Sequence, residues 1–250
     1  MNAYCTLTRR ELSAYFFSMT GYTVIAAATF LMGLSFFVMV KNLADISTPL
    51  PITEIFFATP FFWLIVLLAT PVITMRLFAQ EKFTGTFETL MTTPITDAQV
   101  VLAKFSAAWI FFVVMWLPLL AMILLLRRFT SEPGAVDLAS VGGAFVGLGL
   151  FGGVFMALGC LASALTRSQI IAAMLALCGG VALFLVSFLG NRLDADTGVA
   201  AQVFAYCNLI DHMDDFARGV LDSRAVVLFA TLTVSFLFLT LRVVESRRWR

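Results

Sequence analysis

Six stretches of this chain run for about twenty residues with almost no charge, the length a helix needs to cross a hydrocarbon layer. They are residues 22–40, 55–73, 100–126, 138–165, 170–189 and 225–244, and the only charged side chains inside them are Lys104 and Arg242. Each of these two lies near the end of its stretch, where a long stem lets the charge snorkel to the headgroups. Charged residues make up 12% of the 250 residues, about half the share of a soluble domain. The expected fold is therefore an all-α membrane protein, a single transmembrane domain over residues 1–250 with six spans. The second span is carried on to residue 79, ahead of a polar segment at residues 80–96.

Arg9 and Arg10 resemble the start of a secretory signal, but from Leu12 the chain stays uncharged as far as Lys41. That is too long for a signal-peptide core of about 7–15 residues and reads as the first span. If both termini are cytoplasmic, the inner side holds ten basic residues (Arg9, Arg10, Arg76, Lys82, Lys104, Arg167, Arg242, Arg247, Arg248 and Arg250) and the outer side six. The positive-inside bias favours this orientation, although Arg127 and Arg128 oppose it. Both Thr96–Gln99 and Thr166–Gln169 fit the T-x-x-Q capping box, which would start the third and fifth spans cleanly.

Two further segments read as interfacial helices. Leu12, Tyr15, Phe16 and Met19 share one helical face behind Arg9, Arg10 and Glu11, which suits an elbow helix on the inner leaflet. Leu209, Met213, Phe216 and Val220 share a face ahead of the sixth span, with Asp211, Asp214 and Asp215 free to stay wet.

Several kinds of chemistry lack their residues. The only histidine, His212, sits in DHMDD, where neighbouring side chains on one helix point apart; a solvated face is expected and no metal site. Cys5, Cys160, Cys178 and Cys207 form no CxxC pair, and Cys160 and Cys178 read as small core residues. There is no G-x-S-x-G, no H-E-x-x-H and no G-x-x-x-x-G-K-[ST] phosphate loop, so the chain is expected to be neither a hydrolase nor an ATPase. Ion-coupled carriers keep titratable groups at membrane depth, whereas every Asp and Glu here falls in a loop or at a span end. A net charge of +1 with no basic cluster gives no sign of nucleic-acid binding.

The fourth span carries Gly143/Gly147 and Gly149/Gly153, each pair four residues apart. Such spacing lets helix backbones approach closely; packing inside the bundle is the expected use, ahead of a seam between subunits.

The segment RLFAQEKFTGTFETLMTTPIT, Arg76 to Thr96, interrupts the apolar pattern. Read as a short helix from Phe83, it gathers Phe83, Phe87, Leu90, Met91 and Pro94 on one side and Thr84, Glu88 and Thr92 on another. Gly85 permits a break after the second span, and Pro94 forces a stop before Thr96 caps the third. The segment resembles the cytoplasmic signature of ABC-2 type permeases, with Glu81, Gly85, Thr86, Glu88, Leu90, Thr93 and Pro94 in matching places. Gln80 stands where many relatives carry a second acid. TRRELSAYF, LTRSQIIAA (with Arg167 and Gln169 at its turn), FARGVLDSR and the terminal VVESRRWR agree as well, most closely with the gliding-motility-type branch.

That resemblance implies a permease subunit in the bacterial cytoplasmic membrane, paired with a second permease and seated on two ABC ATPase subunits. ATP and Mg would sit on those partners, with no cofactor on this chain. The segment at 80–96 would be the coupling helix, docking through Phe83, Phe87, Leu90 and Met91 with Glu81 and Glu88 as polar contacts. The alternative is a membrane scaffold that anchors an ATPase or a motility assembly without moving substrate.

Overall fold

The computed structural model describes residues 3–44, 51–86, 95–129, 137–190 and 206–246, and among them every regular element is helical. In chain order the helices are α1 (Ala3–Phe16), α2 (Met19–Ala44), α3 (Ile52–Phe57), α4 (Pro60–Thr74), α5 (Ala79–Thr84), α6 (Asp97–Met115), α7 (Leu117–Phe129), α8 (Leu138–Leu165), α9 (Gln169–Gly190), α10 (Leu209–Ala217) and α11 (Ser223–Ser246). Six helical stretches are long and apolar enough to span: Met19–Asn42, Pro60–Thr84, Asp97–Phe129, Leu138–Leu165, Gln169–Leu189 and Ser223–Ser246.

Prolines and caps account for boundaries that the apolar runs blur. The apolar run at residues 55–73 is two helices, α3 and α4, because Pro60 follows Thr59 in extended conformation and starts α4 afresh. A proline at the first helical position gives up only an N–H that would have no helical acceptor. The third stretch also divides, at Trp116, two residues before Pro118 removes a backbone donor. At Thr96 the capping box forms as expected, the hydroxyl accepting from the Gln99 N–H and the Gln99 side chain accepting from the Thr96 N–H. At Thr166 it does not. Thr166 ends α8 in extended conformation, its hydroxyl accepts from the Ser168 N–H at 3.1 Å, and α9 begins only at Gln169.

The α8 helix is the axis of the bundle, packed against α4, α6, α9, α10 and α11. Its apolar window is 72% buried, against 22% for the first span, 22% for the fifth and 17% for the sixth, so those three present most of their surface outward. Outward side chains such as Phe30, Phe37, Val146, Met174, Val234 and Phe238 are apolar, as lipid contact requires. Cys178 is among the exposed positions, unlike buried Cys160, so only one of the two cysteines read as core lies in it.

Glycine explains how three of these helices, α4, α6 and α10, reach α8. A Cβ on Gly159 would lie 2.2 Å from the Thr74 hydroxyl of α4, one on Gly152 2.2 Å from the Phe112 ring of α6, and one on Gly147 2.5 Å from Phe216 of α10. Gly143 abuts the backbone at Phe216 and Gly219. Gly149 and Gly153 are looser: a Cβ there meets its nearest atom at 3.7 and 3.4 Å, ordinary contact. Of the two four-residue pairs, Gly143/Gly147 therefore serves packing inside the bundle, and Gly152 and Gly159 join it.

The interfacial helices are more enclosed than a leaflet surface would make them. The α1 helix packs on α6, with Tyr15 stacked on Phe111 at 4.9 Å and the Tyr4 hydroxyl 2.7 Å from Ser106. Met19 is not on that buried face; it opens α2 and is exposed. In α10, Leu209, Met213 and Phe216 are buried as their spacing predicts, while Val220 lies beyond the helix end and is exposed.

A methyl group added at Gly152 or Gly159 should cost about 1–3 kcal/mol by overpacking, because Phe112 and Thr74 are themselves fully buried. Gly142, with nothing within 4 Å of its Cβ position, is the control: Gly142→Ala should leave stability within about 1 kcal/mol of wild type. Thermal midpoints of the three alanine variants in detergent read this directly, and equal midpoints would refute the close-approach account.

Candidate functional site: a charge cluster under the polar segment

The polar segment after α4 begins as α5, and three sets of contacts fix it to the bundle. The Ser163 hydroxyl of α8 accepts from the Phe78 and Ala79 N–H groups at 3.0 and 3.1 Å, satisfying donors at the start of α5 that no helix carbonyl reaches. It also lies 3.2 Å from the Met75 carbonyl, to which it donates. The Lys82 ammonium donates to the Ala164 carbonyl at the end of α8. The third set is ionic.

Lys104 of α6 is 1% exposed, and its ammonium lies 2.9 Å from Glu81 Oε1 of α5 and 3.3 Å from Glu11 Oε1 of α1. Arg10 completes the cluster, 2.6 Å from Glu11 and 3.2 Å from Glu81. Two carboxylates and two cations thus balance, as burial of charge demands. Glu81 Oε2 is buried and accepts no hydrogen bond among the described residues. Lys104 is the residue whose position near a span end predicts snorkelling; instead it turns inward, because two acids on other helices offer better partners than headgroups. Nearby, the Tyr15 hydroxyl donates to the Ile73 carbonyl at 2.8 Å. Burial above all holds that phenol well above its usual range, so it stays a neutral donor.

The expected coupling residues fall as follows. Glu81 is tied inside this cluster, while Phe83 is 76% exposed. Gly85 ends α5 with φ +76°, a left-handed conformation that costs any other L residue energy. The Thr86 hydroxyl lies 2.9 Å from that of Thr84. Phe87, Glu88, Leu90, Met91 and Pro94 lie outside the described residues. Arg167 is exposed and Gln169 half-buried at the turn into α9, next to the Ser163–Ala164 anchor. Sequence reasoning missed Glu11, Lys104 and Ser163 as a set. The one available signal was Lys104, a lone charge inside an apolar run.

A second polar cluster sits at the opposite end, where α3 meets α10. Buried Glu54 pairs with Arg218 at 2.8 Å, and the Thr53 hydroxyl donates to the Ala217 carbonyl at 2.5 Å. Burial first, then the Asp211 and Glu54 carboxylates, push Asp214 up to about 6 against the pull of Arg218. Asp211 is shifted the same way, chiefly by burial. His212 has a ring nitrogen 3.1 Å from the Tyr206 carbonyl. No group of three His, Cys, Asp or Glu among the described residues could hold a metal ion.

Six apolar spans around a glycine-rich axis, with ion clusters at the helix ends, define a multi-pass helical membrane protein. The profile of the ABC-2 family transporter proteins matches residues 11–202, well over half the chain, and the chain belongs to that family. Membership implies pairing with an ABC ATPase in a membrane setting. No curated protein matches the chain.

Lys104→Met would leave Glu11 and Glu81 facing each other without their buried cation, with only the more exposed Arg10 between them. It should destabilise the protein by about 3 kcal/mol, the low end for a broken buried pair because both acids keep some solvent. Arg10→Ala, at a side chain 58% exposed, should cost less than about 1 kcal/mol. Thermal unfolding of the two variants ranks them, and the reverse order would contradict the assignment of Lys104 as the hub.

Asp214 gives a pH dependence of defined sign. An unfolded aspartate titrates near 3.9, so between about pH 4 and pH 6 the folded state binds the extra proton. Stability should fall as pH rises through that window, and Asp214→Asn should remove most of the slope. A midpoint that climbs from pH 4 to 6 in wild type would contradict the sign.

Proposed function

We propose that the chain is the membrane-spanning permease subunit of an ABC exporter, one of a pair working on two separate ATPase subunits. The observation that carries this reading is the fixing of α5 to α1, α6 and α8 through Lys104, Ser163 and Ala164. A push delivered to residues 80–96 would move three bundle helices together, which is what conversion of ATPase closure into span movement requires. Loose attachment would dissipate it.

In this reading both termini are cytoplasmic, α1 is the elbow helix, and residues 80–96 form the coupling segment. Phe83 and, beyond it, Phe87, Leu90 and Met91 face a groove of the ATPase, with Glu88 as a polar contact. Glu81 acts from inside, as the link between the segment and the bundle. Arg167 and Gln169 lie on the second turn at the same surface. ATP and Mg belong to the partner, and this chain contributes no catalysis and binds no cofactor. The membrane is the bacterial cytoplasmic one, and the subunit is of the gliding-motility type. A scaffold that only anchors the ATPase would use the same attachment without transport.

The test is co-expression with its partner ABC ATPase and ATP turnover in lipid vesicles. Gly85→Trp and Glu88→Lys should lower stimulated turnover several-fold or release the ATPase. If both variants bind and stimulate like wild type, the coupling assignment is wrong. Substrate accumulation in the same vesicles separates an exporter from a scaffold.

A further inference from the structure

Between α1, α2, α4 and α5 lies a cavity of about 350 Å³. Its polar wall carries Arg10, Arg76, Ser18, Thr20, Thr84 and Thr86, with Glu11, Glu81 and Lys104 of the charge cluster behind. Within that wall the cluster is internally neutral, and Arg76 is left over. Arg76 is exposed, has no carboxylate partner among the described residues, and donates only to the Thr20 hydroxyl, at 3.1 Å. The fixed charges facing the cavity therefore sum to one positive.

The other wall is apolar, and two of its residues, Val24 and Val72, also line a second space of about 120 Å³. This groove descends between α2 and α4 along Ala27, Ala28, Leu31, Ile65, Leu68 and Ala69. Leu68 and Val72 are 52% and 40% exposed, so it is open sideways to the surface that lipid covers. The cationic, hydroxyl-rich cavity lies where the first and second spans end, at the level of the headgroups. The apolar groove runs from it into the depth of the bilayer.

We propose that this continuous cavity and groove bind one phospholipid with an anionic headgroup. The phosphate pairs with Arg76 and the hydroxyl of Thr20, and the first part of one acyl chain lies between α2 and α4. A guanidinium matches phosphate oxygens in charge and in geometry, and basic pockets between membrane helices suit anionic headgroups. A net charge of one positive complements a headgroup of one negative, as in a phosphatidylglycerol, better than a neutral zwitterion. The site needs no ATPase and stands apart from the proposed transport role. It would place a lipid against the elbow helix and the stem of the polar segment at once.

The experiment uses the full chain, delipidated in detergent, with lipid retention measured by native mass spectrometry and thermal midpoints recorded alongside. Dioleoyl phosphatidylglycerol, dioleoyl phosphatidylcholine and water-soluble glycerol 3-phosphate are the three probes. Wild type should retain one phosphatidylglycerol in preference to phosphatidylcholine and be stabilised by it. Arg76→Gln should weaken that retention about tenfold, the loss of one charge-assisted contact. Ala27→Phe should do the same by filling the groove; Ala27 is exposed, so the larger side chain displaces no core residue. The midpoints without lipid show whether each variant is folded. Equal retention by wild type and both folded variants would overturn the proposal. So would equal retention of phosphatidylcholine. Stabilisation by glycerol 3-phosphate that Ala27→Phe leaves unchanged would assign a free-phosphate site instead and overturn it too.

Discussion

The ammonium of Lys104, withdrawn from water between Glu11 and Glu81, governs how one whole end of this protein is arranged. A buried charge is tolerated only when its partners are held in place. Here the partners come from α1 and α5, at positions 11 and 81, and the charge itself from α6, so three helices meet. Each helix thereby helps the other two to settle, and α1 becomes part of the bundle rather than a float on the membrane surface. Ser163 and Ala164 extend the same logic to α8 by taking up the donors at the start of α5 and the ammonium of Lys82.

Deeper in the bilayer the balance of forces changes. Apolar side chains gain little by leaving lipid, so helices associate through close packing and a few hydrogen bonds. The α8 helix supplies that contact by omitting side chains where its neighbours need room. Phe112, Thr74 and Phe216, from three different helices, each occupy the space of a missing Cβ. Ion pairs between distant residues gather at the two ends, around Lys104 and around Glu54–Arg218. One end is thus tied to the polar segment after α4, and the other to the short helices before α4 and α11.

The spans were legible because apolar length is a one-dimensional property: residues 138–165 come out as α8 to the residue. Breaks at Pro60 and Trp116 were less so, since a proline near a helix start can equally begin a helix or kink one. The Thr166 box failed because its pattern fits any T-x-x-Q, while whether it forms depends on where the preceding helix stops. Of the glycines, spacing picked out Gly143 and Gly147 but could not distinguish them from Gly149 and Gly153, because which face meets a neighbour is decided by the neighbour. The charge cluster was invisible for a deeper reason. Glu11, Glu81 and Lys104 carry no mutual periodicity, and only the folded arrangement of α1 against α6 brings them together.

If Lys104 holds α5 and α1 as one body, the distance between spin labels at Cys5 and at Phe83→Cys reads it, both sites being exposed, with exposed Cys178 and half-buried Cys207 replaced by serine. One narrow distance distribution is expected in the otherwise wild-type chain and a broad one when Lys104→Met is added. A distribution that is broad from the outset, or that Lys104→Met leaves unchanged, would contradict it.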